Sequence, residues 1–248
     1  MLWDHTPAPD LTYIDTFFNN VTHVFWDLDH TIWDFKTNAR LTIFELYHKH
    51  ALQTRINCDA DRFHEVYIKH NNIAWAQYSQ GKIDKESLRK QRFRNTFIEL
   101  GTPSSMLFEL FETEFVEICP TKTNLMPGAH DVLNAFNSKF KQHIITNGFK
   151  ETQSKKIISS GIDHYFSSIT NSEDAGFQKP HPMIFKTALA AANATIENSI
   201  MIGDNFDADV MGAYHLGMKC IYYNPDHYPS TSLPKEVICI NHLSDLVR

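Results

Sequence analysis

The chain has 248 residues, 42% of them hydrophobic, and a formal net charge of −6 at pH 7. That length and apolar content allow a buried core plus a second, smaller domain, while the acidic balance argues against a nucleic acid polymer as the main partner, because a face that tracks phosphates is basic. The four cysteines, Cys58, Cys119, Cys220 and Cys239, have no close metal-ligand spacing and are too sparse for a disulfide framework, which fits a reducing cytoplasm.

Residues 1–20 read as an acidic, proline-interrupted extension without the basic start and apolar run of a secretion signal. No later run is long enough to span a bilayer, so no membrane partner is expected. Val24, Phe25 and Trp26 read as a buried strand that delivers Asp27 and Asp29 to its carboxyl end, where parallel strands present ligand sites. From Lys36 to about Glu117 the apolar residues recur at helical spacing, as in Leu41, Phe44, Leu46 and Tyr47, then Phe63, Val66 and Tyr67, then Leu88, Phe93 and Phe97. Pro120 and the turn Met126-Pro127-Gly128 mark the return from this insert. Strands are then expected at 143–146, 167–170, 199–202 and 219–223, with helices between them that stop at Gly161, Gly176 and Gly217. This alternation predicts an α/β fold, a Rossmann-like parallel sheet with right-handed crossovers. The expected domains are an extension at 1–20, a core at 21–35 and 118–248, and a helical insert at 36–117.

Four short signals follow in order: DLDHT at Asp27–Thr31, TNG at Thr146–Gly148, Lys179 before Pro180, and GDNFDAD at Gly203–Asp209. Each alone has a bland reading, a solvated turn or a surface lysine. Their order at successive strand ends is what points to a site for moving a phosphoryl group. The histidines do not support a transition-metal site, since His48 and His50 have the wrong spacing for one helix face and His181, His215 and His227 lack an i, i+4 acidic partner. His30 lies inside the first signal at a position the pattern leaves open.

Taken together these motifs resemble the haloacid dehalogenase (HAD) superfamily of aspartate-nucleophile phosphatases. More narrowly, DHTIWDF from Asp29, the run Asn71 to Trp75, GKIDKESLRKQRF from Gly81 and PTKTNLMPG from Pro120 resemble the YjjG-type pyrimidine 5′-nucleotidases. The resemblance implies an inserted α-helical cap that closes over the site, a Mg²⁺ cofactor, and a small-molecule phosphate monoester, a nucleotide, as substrate. It implies that Asp27 and Asp204 supply carboxylate metal ligands and Asp29 its backbone carbonyl. Asp209 would orient metal-bound water or Lys179, with Asp207 as the less favoured substitute. Lys179 in Lys-Pro-His-Pro looks like the superfamily's third motif, and Asn205 departs from the serine many relatives carry there.

The residue types suit the chemistry. A phosphate monoester resists attack because its charges repel a nucleophile and its alkoxide leaves poorly. Asp27 can attack phosphorus and form an aspartyl-phosphate, and Asp29, two residues on, can give a proton to the leaving oxygen and later accept one from water. The Thr146 hydroxyl and the Asn147 amide can bind a phosphoryl oxygen, Gly148 permits close backbone approach, and Lys179 adds positive charge. For the base of a nucleotide, Trp33 or Trp75 could stack and Gln91, Arg92 or Arg94 could make polar contacts, against the plainer reading of core packing. The alternatives are a phosphatase of sugar phosphates or other small metabolites, then a phosphomutase or a dehalogenase. The last is disfavoured because halide departure needs no proton and Asp29 is present. A catalytically silent binding protein is disfavoured because every chemical group is retained.

Overall fold

The computed structural model describes residues 16–102, 104–229 and 233–247, so most of the extension expected at 1–20 lies outside the described residues. The chain divides into two compact units: Met1–Asp34 with Leu125–Arg248, and Phe35–Asn124.

The first unit is built on a six-stranded parallel sheet. Its strands are β1 (His23–Trp26), β2 (Lys141–Thr146), β3 (Phe166–Asn171), β4 (Ser199–Gly203), β5 (Lys219–Tyr223) and β6 (Val237–Ile240), in the order β3-β2-β1-β4-β5-β6. From β1 the chain winds outward to β2 and β3, then returns beside β1 to lay down β4, β5 and β6. The carboxyl ends of β1 and β4 therefore flank the point where the winding reverses, the place where such sheets leave a crevice.

Both sheet faces are covered, so the central strands are buried and mostly apolar on both faces. Phe25 and Trp26 point to opposite faces and both are fully buried. Phe25 joins Ile145, Phe185, Met201, Val210 and Tyr222 in one apolar cluster, while the Trp26 ring lies 5.8 Å from that of Phe136. Each such side chain contributes about 1.5–3 kcal/mol by leaving water.

The sequence pattern started β2 at His143 and missed its polar lead-in, Lys141 and Gln142; after the exposed Lys141 come the polar Gln142 and His143. Both are buried with their polar atoms engaged: Gln142 accepts from Trp26 Nε1 at 3.1 Å and donates to the Leu133 carbonyl at 2.9 Å, and His143 bonds His23 at 3.0 Å and Ser168 at 2.8 Å. It also missed β6, a four-residue edge strand too short for periodicity to register.

Among the described residues, the second unit holds four α-helices, α1 (Phe35–Lys49), α2 (Ala60–Ser79), α3 (Lys85–Glu99) and α4 (Ser105–Ile118). Asp59 and Asp84 begin α2 and α3 by accepting backbone N–H bonds from Arg62 and Ser87, each at 2.8 Å, a cap contributing about 1 kcal/mol. Inside, Phe63, Tyr67, Phe93, Phe97, Phe111 and Phe115 form an aromatic core. The unit runs to Asn124 rather than ending at 117, because Asn38 exchanges hydrogen bonds with Asn124 and Lys122 pairs with Glu45 at 2.6 Å. Among the described residues, no helix is long and apolar enough to cross a membrane.

Candidate active site

The site lies within the first unit, where β1, β2 and β4 end side by side. Asp27 leaves β1 with its backbone N–H bonded to Ile202 of β4 at 2.9 Å. Its side chain is buried, and Lys179 Nζ donates to Asp27 Oδ1 at 2.6 Å. The same ammonium donates to the Ile145 carbonyl at 2.7 Å and lies 2.6 Å from Asp209 Oδ1. Two hydrogen bonds and an ion pair thus fix Lys179, and Asp209 Oδ1 is left buried without a hydrogen-bond donor among the described residues. Its backbone is held as well, by Asn147, whose side chain accepts from the Lys179 N–H at 2.7 Å and donates to its carbonyl at 2.9 Å.

Asp209 comes from a π-helical turn, Phe206–Met211, capped by Asn205, whose side chain accepts from the Ala208 N–H at 2.9 Å. Asp209 Oδ2 accepts from the Asn205 N–H at 3.0 Å. Gly203 makes room for this carboxylate: a Cβ there would lie 2.3 Å from Asp209 Oδ2. Asp204 is gripped by Thr31, which donates to its Oδ1 and accepts from its backbone N–H, both at 3.0 Å.

Carboxylate oxygens of Asp27, Asp204 and Asp209 all lie within 4.8 Å of one another. Burial raises the pKa of Asp27 to about 7, with Asp209 and Asp29 adding to the effect against the opposing pull of Lys179. Burial, then the charges of Asp27 and Asp209, push Asp204 well above the usual carboxylate range. On Lys179 burial works the other way, but Asp209 and Asp27 outweigh it and hold the ammonium charged. Three carboxylates against one ammonium leave a deficit of positive charge, and the donors are hard oxygens throughout. Both features fit a divalent cation of the Mg²⁺ class.

Asp29 differs from its neighbours. Its carboxylate points to the helix after β2, α6 (Lys150–Ser159), the sixth in chain order after α5 (Ala129–Asn137). Lys156 Nζ donates to Oδ1 at 2.6 Å and Gln153 Nε2 to Oδ2 at 2.8 Å. Burial works to raise the Asp29 pKa, but the charge and hydrogen bond of Lys156, then the bond from Gln153, outweigh it and hold the group below the ordinary range.

The structure thus brings Asp27, Asp204, Asp209 and Lys179 together, with Asp29 and Thr146 tied to each other through Gln153. The remaining candidates divide. Trp33 belongs to the first unit rather than to the helical insert, and it is fully buried with Lys156 Nζ 4.6 Å from its ring centroid. That burial gives it no open face for a base. Arg92 is buried inside the helical unit, its guanidinium 4.9 Å from the Phe115 ring and 3.4 Å from Tyr67 Oη and Asn71 Oδ1. Trp75 and Gln91 are partly exposed and Arg94 is exposed. Asp207, the substitute considered for Asp209, is absent from the carboxylate cluster.

Sequence reasoning overlooked Thr31, Gln153 and Lys156. Thr31 was inside a motif but had no assigned partner. For the other two the only signal was position: polar residues three apart on the helix that opens just past Thr146, with Ile158 outward in their stead.

A parallel sheet whose β1, β2 and β4 ends gather an aspartate pair, a hydroxyl and an acid-bound lysine is the arrangement of one hydrolase class, and the chain belongs to it: the haloacid dehalogenase-like hydrolase family matches residues 21–217. Among its relatives, the pyrimidine 5′-nucleotidase YjjG of Escherichia coli is 30% identical over 82% of this chain and 86% of its own. The pyrimidine 5′-nucleotidase PynA of Streptococcus pneumoniae is 28% identical over 82% of this chain and 83% of its own. The magnesium-bound crystal structure of the HAD-hydrolase YfnB from Bacillus subtilis superposes with a TM-score of 0.79 at 27% identity, covering 91% of this chain and 96% of that one.

Proposed function

We propose that this protein is a Mg²⁺-dependent phosphatase that hydrolyses pyrimidine nucleoside 5′-monophosphates through an aspartyl-phosphate. One observation carries the reading: Lys179 Nζ lies 2.6 Å from carboxylate oxygens of both Asp27 and Asp209, so a nucleophile is held against a fixed cation at the strand ends. Asp27 attacks phosphorus as the ester P–O bond breaks, and Asp29, which the negative charge of the bound phosphate drives to take up a proton against the pull of Lys156, gives that proton to the leaving oxygen. Water then attacks the aspartyl-phosphate, giving a proton back to Asp29 and releasing phosphate. Lys179 and the Thr146 hydroxyl stabilise the charge on the phosphoryl oxygens.

Asp27 and Asp204 would hold Mg²⁺ with the Asp29 carbonyl, and Asp209 would steady Lys179 from beside them. Bound there, the ion would neutralise charge on the phosphoryl group. The magnesium bound to the Bacillus subtilis relative supports this choice.

A thermal measurement tests the metal site. Asp27 and Asp204 have raised folded-state pKa values, so the stability they contribute is full below the ordinary carboxylate pKa of about 4 and is lost as pH rises, for Asp27 through about 7. A cation bound by the ionised forms restores it. The rise in unfolding temperature on adding Mg²⁺ is therefore expected to be larger at pH 8 than at pH 5. An equal rise at both would show that the cation binds elsewhere.

The two nucleotidase relatives, matched across 82% of the chain, support the substrate class. Trp75, Gln91 and Arg94 are the candidates for recognising the nucleoside. A phosphate-release screen with Mg²⁺ across pyrimidine and purine 5′-monophosphates and sugar phosphates checks it. We expect kcat/KM for a pyrimidine nucleotide to exceed that for the others by about 10-fold or more; efficient cleavage of a sugar phosphate with no pyrimidine nucleotide turned over would reject it.

A further inference from the structure

The inner face of α6 carries two polar side chains that lie outside all four motifs. Gln153 and Lys156 stand one helical turn apart, 1% and 6% exposed. Between them they engage both carboxylate oxygens of Asp29, at 2.8 Å and 2.6 Å. An ammonium buried this deeply needs a charged partner, and Asp29 is the carboxylate it meets. The Lys156 ammonium also lies 4.6 Å from the centroid of the buried Trp33 ring, a cation–π contact that fixes the side from which it reaches Asp29.

Gln153 has a second role. Its Nε2 also donates to Thr146 Oγ1 at 2.7 Å, so its two amide hydrogens serve two residues. The opposite amide orientation would set its carbonyl oxygen against a carboxylate, so charge decides which end faces Asp29. Thr146 Oγ1 further accepts from the Gly148 N–H at 3.1 Å. With both acceptor positions filled, the hydroxyl hydrogen is left to donate outward. Gly148 is what makes this packing possible, since a Cβ there would fall 2.1 Å from Gln153 Nε2.

We infer that Gln153 and Lys156 are positioning residues for the reaction: Lys156 and one Gln153 N–H hold the Asp29 carboxyl group in place, and the other Gln153 N–H turns the Thr146 hydroxyl into a donor for a phosphoryl oxygen. The inference rests on the reading of Asp29 as the acid and base. One amide then sets both the proton-transfer group and a phosphate contact.

The two residues act through Asp29, so their loss falls hardest on a bond whose breaking needs a proton. As Asp27 forms its bond to phosphorus, an alkoxide leaving group takes the Asp29 proton, whereas p-nitrophenolate departs with its electron pair delocalised and needs none. The ratio of kcat/KM for these two kinds of ester isolates the effect, because kcat/KM covers the steps up to release of the first product.

The test compares the full chain with Lys156→Met, Gln153→Met and, as the reference for a missing acid, Asp29→Asn. Methionine matches glutamine in length and the four-carbon stem of lysine, and it removes the donors of both. The substrates are p-nitrophenyl phosphate and the best alkyl phosphate from the screen above. In each methionine variant, kcat/KM for the alkyl ester is expected to fall about 10-fold further than that for the aryl ester, in the direction set more strongly by Asp29→Asn. Misfolded enzyme lowers both values equally and leaves the ratio unchanged, and either variant suffices if the other does not fold. A ratio within about 2-fold of wild type in the folded variants, with a changed ratio in Asp29→Asn, overturns this inference alone. An unchanged ratio in Asp29→Asn overturns the acid and base reading, and this inference with it.

Discussion

Asp27→Asn is expected to lower kcat by about four orders of magnitude or more while the protein stays folded. Asparagine has nearly the volume of aspartate but no nucleophilic oxygen, so no covalent intermediate can form. The effect on stability has the opposite sign from the effect on catalysis. Burial raises the Asp27 pKa to about 7, so at pH 8 the metal-free protein carries an ionised group in a setting that resists it. Lys179 keeps its ion pair with Asp209 and its bond to the Ile145 carbonyl in the variant, and the asparagine oxygen can accept in place of the aspartate. One negative charge fewer stands near Asp204 and Asp209. Without divalent cation, the variant should therefore unfold at a temperature equal to or above that of the wild type at pH 8, and Mg²⁺ should raise it less. Phosphate release and thermal melts with and without Mg²⁺ check both halves. A folded variant with residual turnover within about 10-fold of wild type would assign the nucleophile elsewhere.

How far the sequence revealed this site depends on what each residue contacts. Asp27, Thr146, Lys179 and Asp204 announce themselves because each stands just past an apolar strand or in a turn, where a polar residue has no part in the core pattern. Strand β5 was legible to the residue, Lys219–Tyr223, for the related reason that its apolar run is uninterrupted. Gln142 was not legible as strand, since its burial depends on a partner 116 positions away in the chain, Trp26. Gln153 and Lys156 failed for a similar reason. In a helix of sequence KETQSKKIIS any polar residue reads as a solvated face, and only the fold shows that Ile158 is the exposed one and Lys156 the buried one. Arg92 misled in the opposite sense, because a cation on a helix suggests a ligand contact, while here it packs against Phe93 and Phe115. A polar residue is informative from sequence when it interrupts an apolar pattern, and silent when its partner is remote.

Removing the ammonium of Lys179 should damage both stability and rate. Its side chain is 2% exposed, and Lys179→Met leaves Asp27, Asp209 and the Ile145 carbonyl without the ammonium they share. Breaking a buried ion pair from one side costs about 3–5 kcal/mol, which in a chain of this size lowers the unfolding temperature by roughly 10 °C. The pH dependence has a definite sign. Lys179 opposes the burial that raises the Asp27 pKa, so without it that pKa rises further while the unfolded-state value stays near its ordinary level. Asp27 then keeps its proton to higher pH in the fold, and the stability linked to it is lost over a wider span as pH rises. The deficit relative to wild type should therefore be larger at pH 8 than at pH 5, and Mg²⁺ should recover part of it by supplying the missing charge. Turnover follows a different course, because a cation shared by two carboxylates is not positioned by them once its ammonium is gone. Loss of that contact to a phosphoryl oxygen should lower kcat by about 10²–10³ even where Mg²⁺ restores the fold. Melts at both pH values, with phosphate release measured below the unfolding temperature, separate the two effects. An unfolding temperature matching wild type at pH 8 would mean that the carboxylates do not need this lysine, and the charge balance drawn for the site would fail.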